Sequence, residues 1–174
     1  MLMKHCIYLN TKGGSGKSTL AYYSANELQR LGYPTEVVNL DQQQHIIERE
    51  DSDAAFCIYD TPGVFASDTL DLLNAARNAN SVIIIPTGCG VNDTKEIPFV
   101  ADQLAELGLI DRCTFVFTRA RPNSKALRER RQWLESQGHN VARWFMPLLE
   151  DFSEQRDTSR TRNEISAFIH EVIL

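Results

Sequence analysis

No apolar run in the 174-residue sequence is long enough to cross a membrane: runs such as Val82-Ile-Ile-Ile85, closed by Pro86, fall far short of the roughly 20 residues a spanning helix needs. The first ten residues lack the basic start and long apolar stretch of a secretory signal, so a cytoplasmic location is expected. The four cysteines, Cys6, Cys57, Cys89 and Cys113, include no C-x-x-C pair, and three sit in apolar strand-like runs where a thiol behaves as a small hydrophobe. That excludes a disulfide framework. His5, His45, His139 and His170 are dispersed, without metal-ligand spacing, so zinc is not expected. With no repeat, low-complexity tract or linker either, residues 1–174 read as a single domain.

What is present is an ordinary globular composition, 43% hydrophobic and 24% charged, with a formal net charge of −5. The charge is uneven. Residues 1–118 hold 8 Lys/Arg against 15 Asp/Glu, whereas 119–174 hold 10 against 8. Within the second part, Arg119, Arg121, Lys125, Arg128, Arg130, Arg131 and Arg143 face only Glu129 and Glu135 before residue 144.

Apolar runs alternate with helical patterns. Strands are expected at Lys4–Asn10, Glu36–Leu40, Ala55–Tyr59, Val82–Ile85, Thr114–Phe117 and, more weakly, Val141–Met146. Helices are expected at Lys17–Leu31, ended by Gly32, and at about 67–78, 94–107, 124–137 and 162–173. This alternation predicts an α/β fold: a mostly parallel twisted sheet with helices on both faces.

The strongest local signal is Asn10-Thr11-Lys12-Gly13-Gly14-Ser15-Gly16-Lys17-Ser18-Thr19, between the first strand and first helix. Glycines let successive backbone N–H groups wrap a phosphate, and the helix beginning at Lys17 aims its positive end at the same anion. Lys17 is then placed for the β and γ phosphates, and Ser18 for Mg²⁺. The generic G-x-x-x-x-G-K-[ST] pattern fails at Thr11, but the variant K-G-G-x-G-K-[ST] fits from Lys12 to Ser18.

That variant resembles the deviant Walker A motif of the ParA/MinD family of P-loop ATPases. The resemblance implies nucleotide contacts from Lys12, Gly13, Gly14, Ser15, Gly16, Lys17, Ser18 and Thr19. It also implies an ATP-dependent homodimer in which Lys12 crosses to the partner's phosphates. Asn39-Leu40-Asp41-Gln42-Gln43 is similar to the family's D-x-D-P-Q stretch, implying that Asp41 positions the attacking water. Asp60-Thr61-Pro62-Gly63 is similar to the Walker B segment, implying that Asp60 holds Mg²⁺ through water. Lys12, Lys17 and Asp41 are thus the candidate catalytic residues, Ser18 and Asp60 the metal residues, and ATP and Mg²⁺ the cofactors.

Several positions depart from the family pattern. Asn39 stands for the first aspartate and Gln42 for the proline, which implies slower catalysis. Only eighteen residues separate Asp41 from Asp60, suggesting a lost helical excursion. Thr118-Arg119 replaces the Asn-Arg that lies near the adenine, making Arg119 the candidate base contact. No N-K-x-D guanine-reading motif occurs, which favours ATP over GTP. Gly88-Cys89-Gly90 is similar to a cluster cysteine of the nitrogenase iron protein, yet Val64-Phe65-Ala66-Ser67 lacks the second one, so Cys89 reads as a loop thiol.

ParA-type proteins segregate DNA, releasing it when a centromere-bound partner stimulates hydrolysis. By resemblance, Arg121, Lys125, Arg128 and Arg131 are candidate nonspecific DNA contacts, against the alternative of a solvated helix face, and a nucleoid location follows from DNA binding. A strand starting almost at residue 4 leaves no room for an N-terminal helix-turn-helix domain. A MinD-like membrane positioner is a second reading, since Ile165, Phe168, Ile169, Val172 and Ile173 form an amphipathic stripe; Glu164, Glu171 and the absence of lysine weigh against it. An accessory ATPase of conjugation or other cargo positioning is the third.

Overall fold

The computed structural model describes residues 2–9, 12–41, 48, 50–62 and 65–174. Asn10, Thr11, Gln42, Gln43, Gly63 and Val64, which belong to the motifs above, lie outside the described residues. The elements run β1 (Lys4–Tyr8), α1 (Lys17–Arg30), β2 (Thr35–Asn39), β3 (Phe56–Asp60), α2 (Ser67–Ala76), β4 (Ser81–Thr87), α3 (Val91–Thr94), α4 (Ile97–Glu106), β5 (Cys113–Phe117), α5 (Lys125–Ser136), α6 (Glu150–Ser153) and α7 (Ser159–Phe168). The strands form one sheet in the order β2-β3-β1-β4-β5, with every pairing parallel. β1 lies between β3 and β4, so the chain winds outward in both directions from it. The crevice at the carboxyl ends of the strands beside β1 is where such sheets hold ligands.

The two-residue period of the strands divides the core. Cys6, Tyr8, Ile58 and Val116 face α1 and α7, meeting Leu20, Leu28, Ile165 and Phe168. Ile7, Leu9, Ile83, Ile85 and Phe117 face the other side, meeting Leu73 of α2, Leu104 of α4 and Leu134 of α5. Each large apolar side chain so removed from water contributes about 1.5–3 kcal/mol, so the sheet is a rigid platform for the loops at its carboxyl edge.

Three of the expected helices change, each for a local reason. The helix expected at 94–107 is divided into α3 and α4, because Pro98 in the first turn of α4 has no N–H to continue a preceding helix. The helix expected at 67–78 ends at Ala76, where the Arg112 guanidinium donates to the carbonyls of Ala76 (3.1 Å) and Arg77 (2.9 Å). The last helix starts at Ser159, capped by the Thr158 hydroxyl accepting from the Thr161 N–H at 3.2 Å, and ends in a π-helical turn at Ile169–Ile173.

The strand expected at 141–146 is only an interrupted ladder along β5. Phe115 N–H donates to Asn140, Ala142 N–H to Phe115 and Met146 N–H to Phe117, leaving single bridges rather than a strand. Between them, the N–H groups of Arg143 and Trp144 turn away to the Glu171 carboxylate, at 2.8 and 2.9 Å.

Candidate functional site

β1 ends against its neighbours, with Leu9 N–H donating to Ile84 at 2.9 Å. The loop that follows depends on glycine where the backbone turns left-handed, at Gly14 (φ 77°) and Gly16 (φ 83°). A Cβ at Gly14 would meet nothing within 4 Å, so its surface is open to a ligand. One at Gly16 would lie 3.0 Å from Met146 Cε and 3.5 Å from Thr118 Cβ. The Thr118 hydroxyl also donates to the Ser15 carbonyl, so the end of β5 braces the loop from below.

α1 begins immediately after Gly16, and its first residue is Lys17. This ammonium is buried, 5% exposed, and ion-paired with Asp60 at the end of β3 and with Asp41 beyond β2, the latter at 3.5 Å. It also lies 3.5 Å from the Ser18 hydroxyl. The structure therefore brings Lys17 and Ser18 of α1, Asp41 beyond β2 and Asp60 of β3 together from three separate segments. Asp60 is fully buried, and its Oδ2 has no hydrogen-bond partner among the described residues, so it is an oxygen that a bound cation would satisfy.

The residues fit Mg²⁺ and a polyphosphate. Oxygen donors on Ser18, Asp41 and Asp60 are the hard ligands Mg²⁺ takes, directly or through water. The open glycine turn and the amino end of α1 supply N–H groups for an anion.

Lys12 lies on the outer side of the loop. It is 43% exposed and forms a 2.9 Å ion pair with Asp93 of α3, in its own chain. Asp93 Oδ2 in turn accepts the Gly90 N–H at 3.0 Å. The hydrogen bond from Lys12 holds the Asp93 carboxyl below its ordinary value, with burial opposing. The sequence reading missed Asp93. Its only signal there was an acid three residues after a glycine that starts a helix, a common first-turn position.

Arg119 adopts φ 51° and lines a cavity of about 150 Å³ with Gly16, Thr19, Met146, Leu149 and Phe152. The structure so sets Arg119, the candidate base contact, beside Gly16 and Thr19 of the candidate nucleotide-binding residues. Cys89 is half-buried, its thiol pushed up by burial, and among the described residues no group of three or more His, Cys, Asp or Glu side chains is placed to hold a metal ion.

Of the candidate DNA contacts, Arg121, Lys125 and Arg128 are exposed. Arg131 is engaged within the chain: its guanidinium donates to the carbonyls of Ala142 and Arg143 and lies 5.8 Å over the Phe117 ring.

The fold is similar to that of several solved structures. A Borrelia burgdorferi protein assigned to plasmid partition, bound to AMPPNP, matches with a TM-score of 0.70 at 13% identity, covering 99% of this chain and 100% of that one. The Mycobacterium smegmatis cobyrinic acid a,c-diamide synthase with a bound ATP analogue and magnesium matches at 0.72 and 14%, covering 98% and 93%. The Cyanothece McdA–ATP complex matches at 0.70 and 10%, covering 97% and 96%. At these identities the likeness is one of fold. No curated protein matches the sequence significantly. The family model for the CobQ/CobB/MinD/ParA nucleotide binding domain, however, matches residues 6–161, most of the sheet and the whole phosphate loop. The chain belongs to that family of P-loop nucleotide-binding proteins.

Proposed function

We propose that this chain is a Mg²⁺-dependent ATPase that dimerises around ATP and uses hydrolysis as a switch to position or segregate DNA, with a partner protein stimulating turnover. The observation that carries the reading is the pair of lysines on one loop, with Lys17 enclosed by Asp41 and Asp60 while Lys12 stays at the surface. Lys17 belongs to the chain's own phosphates. Lys12 is placed to reach beyond its own site.

In this reading the loop N–H groups and Lys17 bind and orient the phosphates, and Asp41 holds the attacking water at its carboxylate. Lys12 of the second copy adds positive charge as the γ-phosphoryl departs. Ser18 and Asp60 would hold Mg²⁺, which would supply charge neutralisation to the phosphates. Arg119 and the cavity beside it receive the base.

Partition-type neighbours support the DNA role, as do exposed Arg121, Lys125 and Arg128. The membrane reading loses its main support, because Ile165, Phe168, Ile169 and Ile173 are buried in the core rather than presented to lipid.

The test is ATP hydrolysis and light scattering on two variants. Lys17→Ala is expected to abolish hydrolysis, and full activity in it removes the ATPase reading. Lys12→Ala is expected to bind ATP but remain monomeric, and an ATP-dependent dimer of that variant removes the shared site.

A further inference from the structure

We propose that Asn39 is a positioning residue for hydrolysis, holding Asp41 so that its carboxylate faces the phosphate site; the inference rests on the ATPase reading and deepens it. The observation is a run of three consecutive backbone N–H groups at the end of β2, each with a defined partner. Asn39 N–H donates to Glu48 Oε1 at 3.1 Å, Leu40 N–H to the Asp60 carbonyl at 2.8 Å, and Asp41 N–H to Asn39 Oδ1 at 2.9 Å.

The middle bond carries the β2–β3 ladder one step past the Asn39–Asp60 register pair, so the backbone is still tied to β3 at Leu40. The third bond then turns it. A side-chain oxygen accepting the N–H two residues on is an Asx turn, which Asn and Asp form readily. Only the amide oxygen can accept an N–H, which fixes the orientation of the Asn39 side chain. Asp41 therefore leaves the sheet with its own N–H held by Asn39 and the preceding N–H held by β3, and its Oδ2 stands 3.5 Å from Lys17 Nζ.

A carboxylate at 39 would make the same turn, so the turn alone does not select asparagine. The neutral amide makes the turn without adding a third carboxylate to the two that Lys17 already faces. The resemblance to D-x-D implies a missing carboxylate at 39; the turn at Asp41 is made here by the amide oxygen instead.

The experiment compares Asn39→Ala, which loses the acceptor, with Asn39→Asp, which keeps it. Asn39→Ala is expected to lower kcat for ATP hydrolysis by about tenfold or more, because small displacements of a reacting group are costly. Its Kd for a fluorescent ATP analogue should stay within about twofold, and Asn39→Asp should recover kcat to within about threefold. Amide hydrogen exchange supplies a readout free of activity: the Asp41 amide should be protected in the wild type and in Asn39→Asp, and exchange about tenfold faster or more in Asn39→Ala. The proposal is overturned if Asn39→Ala turns over at the wild-type rate, if affinity and kcat fall together, or if the Asp41 amide exchanges equally in all three proteins. A wild type that binds ATP without hydrolysing it removes the ATPase reading instead, and the exchange comparison then still decides whether Asn39 holds Asp41.

Discussion

Lys12 and Lys17 lie on one short loop yet sit in opposite electrostatic surroundings. Lys17 is enclosed, and removing either carboxylate beside it would leave a buried charge partly uncompensated. Lys12 has one carboxylate, Asp93, and both partners are about two-fifths exposed, so solvent screens the pair and its effect is local. Its pH behaviour follows from the sign of the shift. A carboxyl depressed in the folded state contributes stability that is present above its unfolded value, about 3.9, and is lost as the pH falls through the folded value. In an NMR titration, the Asp93 midpoint is expected below about 3.9 in the wild type and to rise in Lys12→Ala. Equal midpoints in the two proteins would show that Lys12 is not the cause.

At the scale of elements, α7 and the π-helical turn after it close the face of the sheet that α1 covers, and Phe168 and Ile169 are fully buried there. Phe168→Ala should therefore cost about 3–5 kcal/mol in urea denaturation, the range for truncating a buried aromatic. A value near zero would mean that the stripe serves some other surface.

The stripe was legible in the sequence as a period of 3.6, and the parallel strands as short apolar runs between helices. Lys17, Ser18, Asp41 and Asp60 were legible because each ends a strand or starts a helix beside it, where an α/β fold brings such residues together. The interrupted ladder at 141–148 was not, since it depends on Glu171, some thirty residues on and in another element, drawing two N–H groups away. Arg131 looked like a surface cation for a similar reason: a charge count does not reveal the two carbonyls waiting for its guanidinium. The break before Pro98, by contrast, could have been read from the proline itself.

For the whole molecule, the net charge of −5 combines an acidic nucleotide-binding part with a basic stretch that begins at Arg119. If Arg121 and Arg128 neutralise DNA phosphates, replacing both by alanine should make the slope of log affinity against log salt, measured with ATP, shallower by about 0.9 for each phosphate no longer neutralised. An unchanged slope would place the DNA-binding surface elsewhere.

The interrupted ladder beside β5 has a consequence for how copies of this chain meet. An uncovered parallel edge invites a neighbour's strand, and proteins suppress that by covering the edge or breaking its regularity. Here residues 140–148 take up both the N–H and the C=O of Phe115 and the C=O of Phe117, while Glu171 occupies the next outward-facing N–H groups. The edge is occupied by a segment too irregular to act as a template itself. Extension of the sheet by another strand is thereby discouraged at the β5 edge.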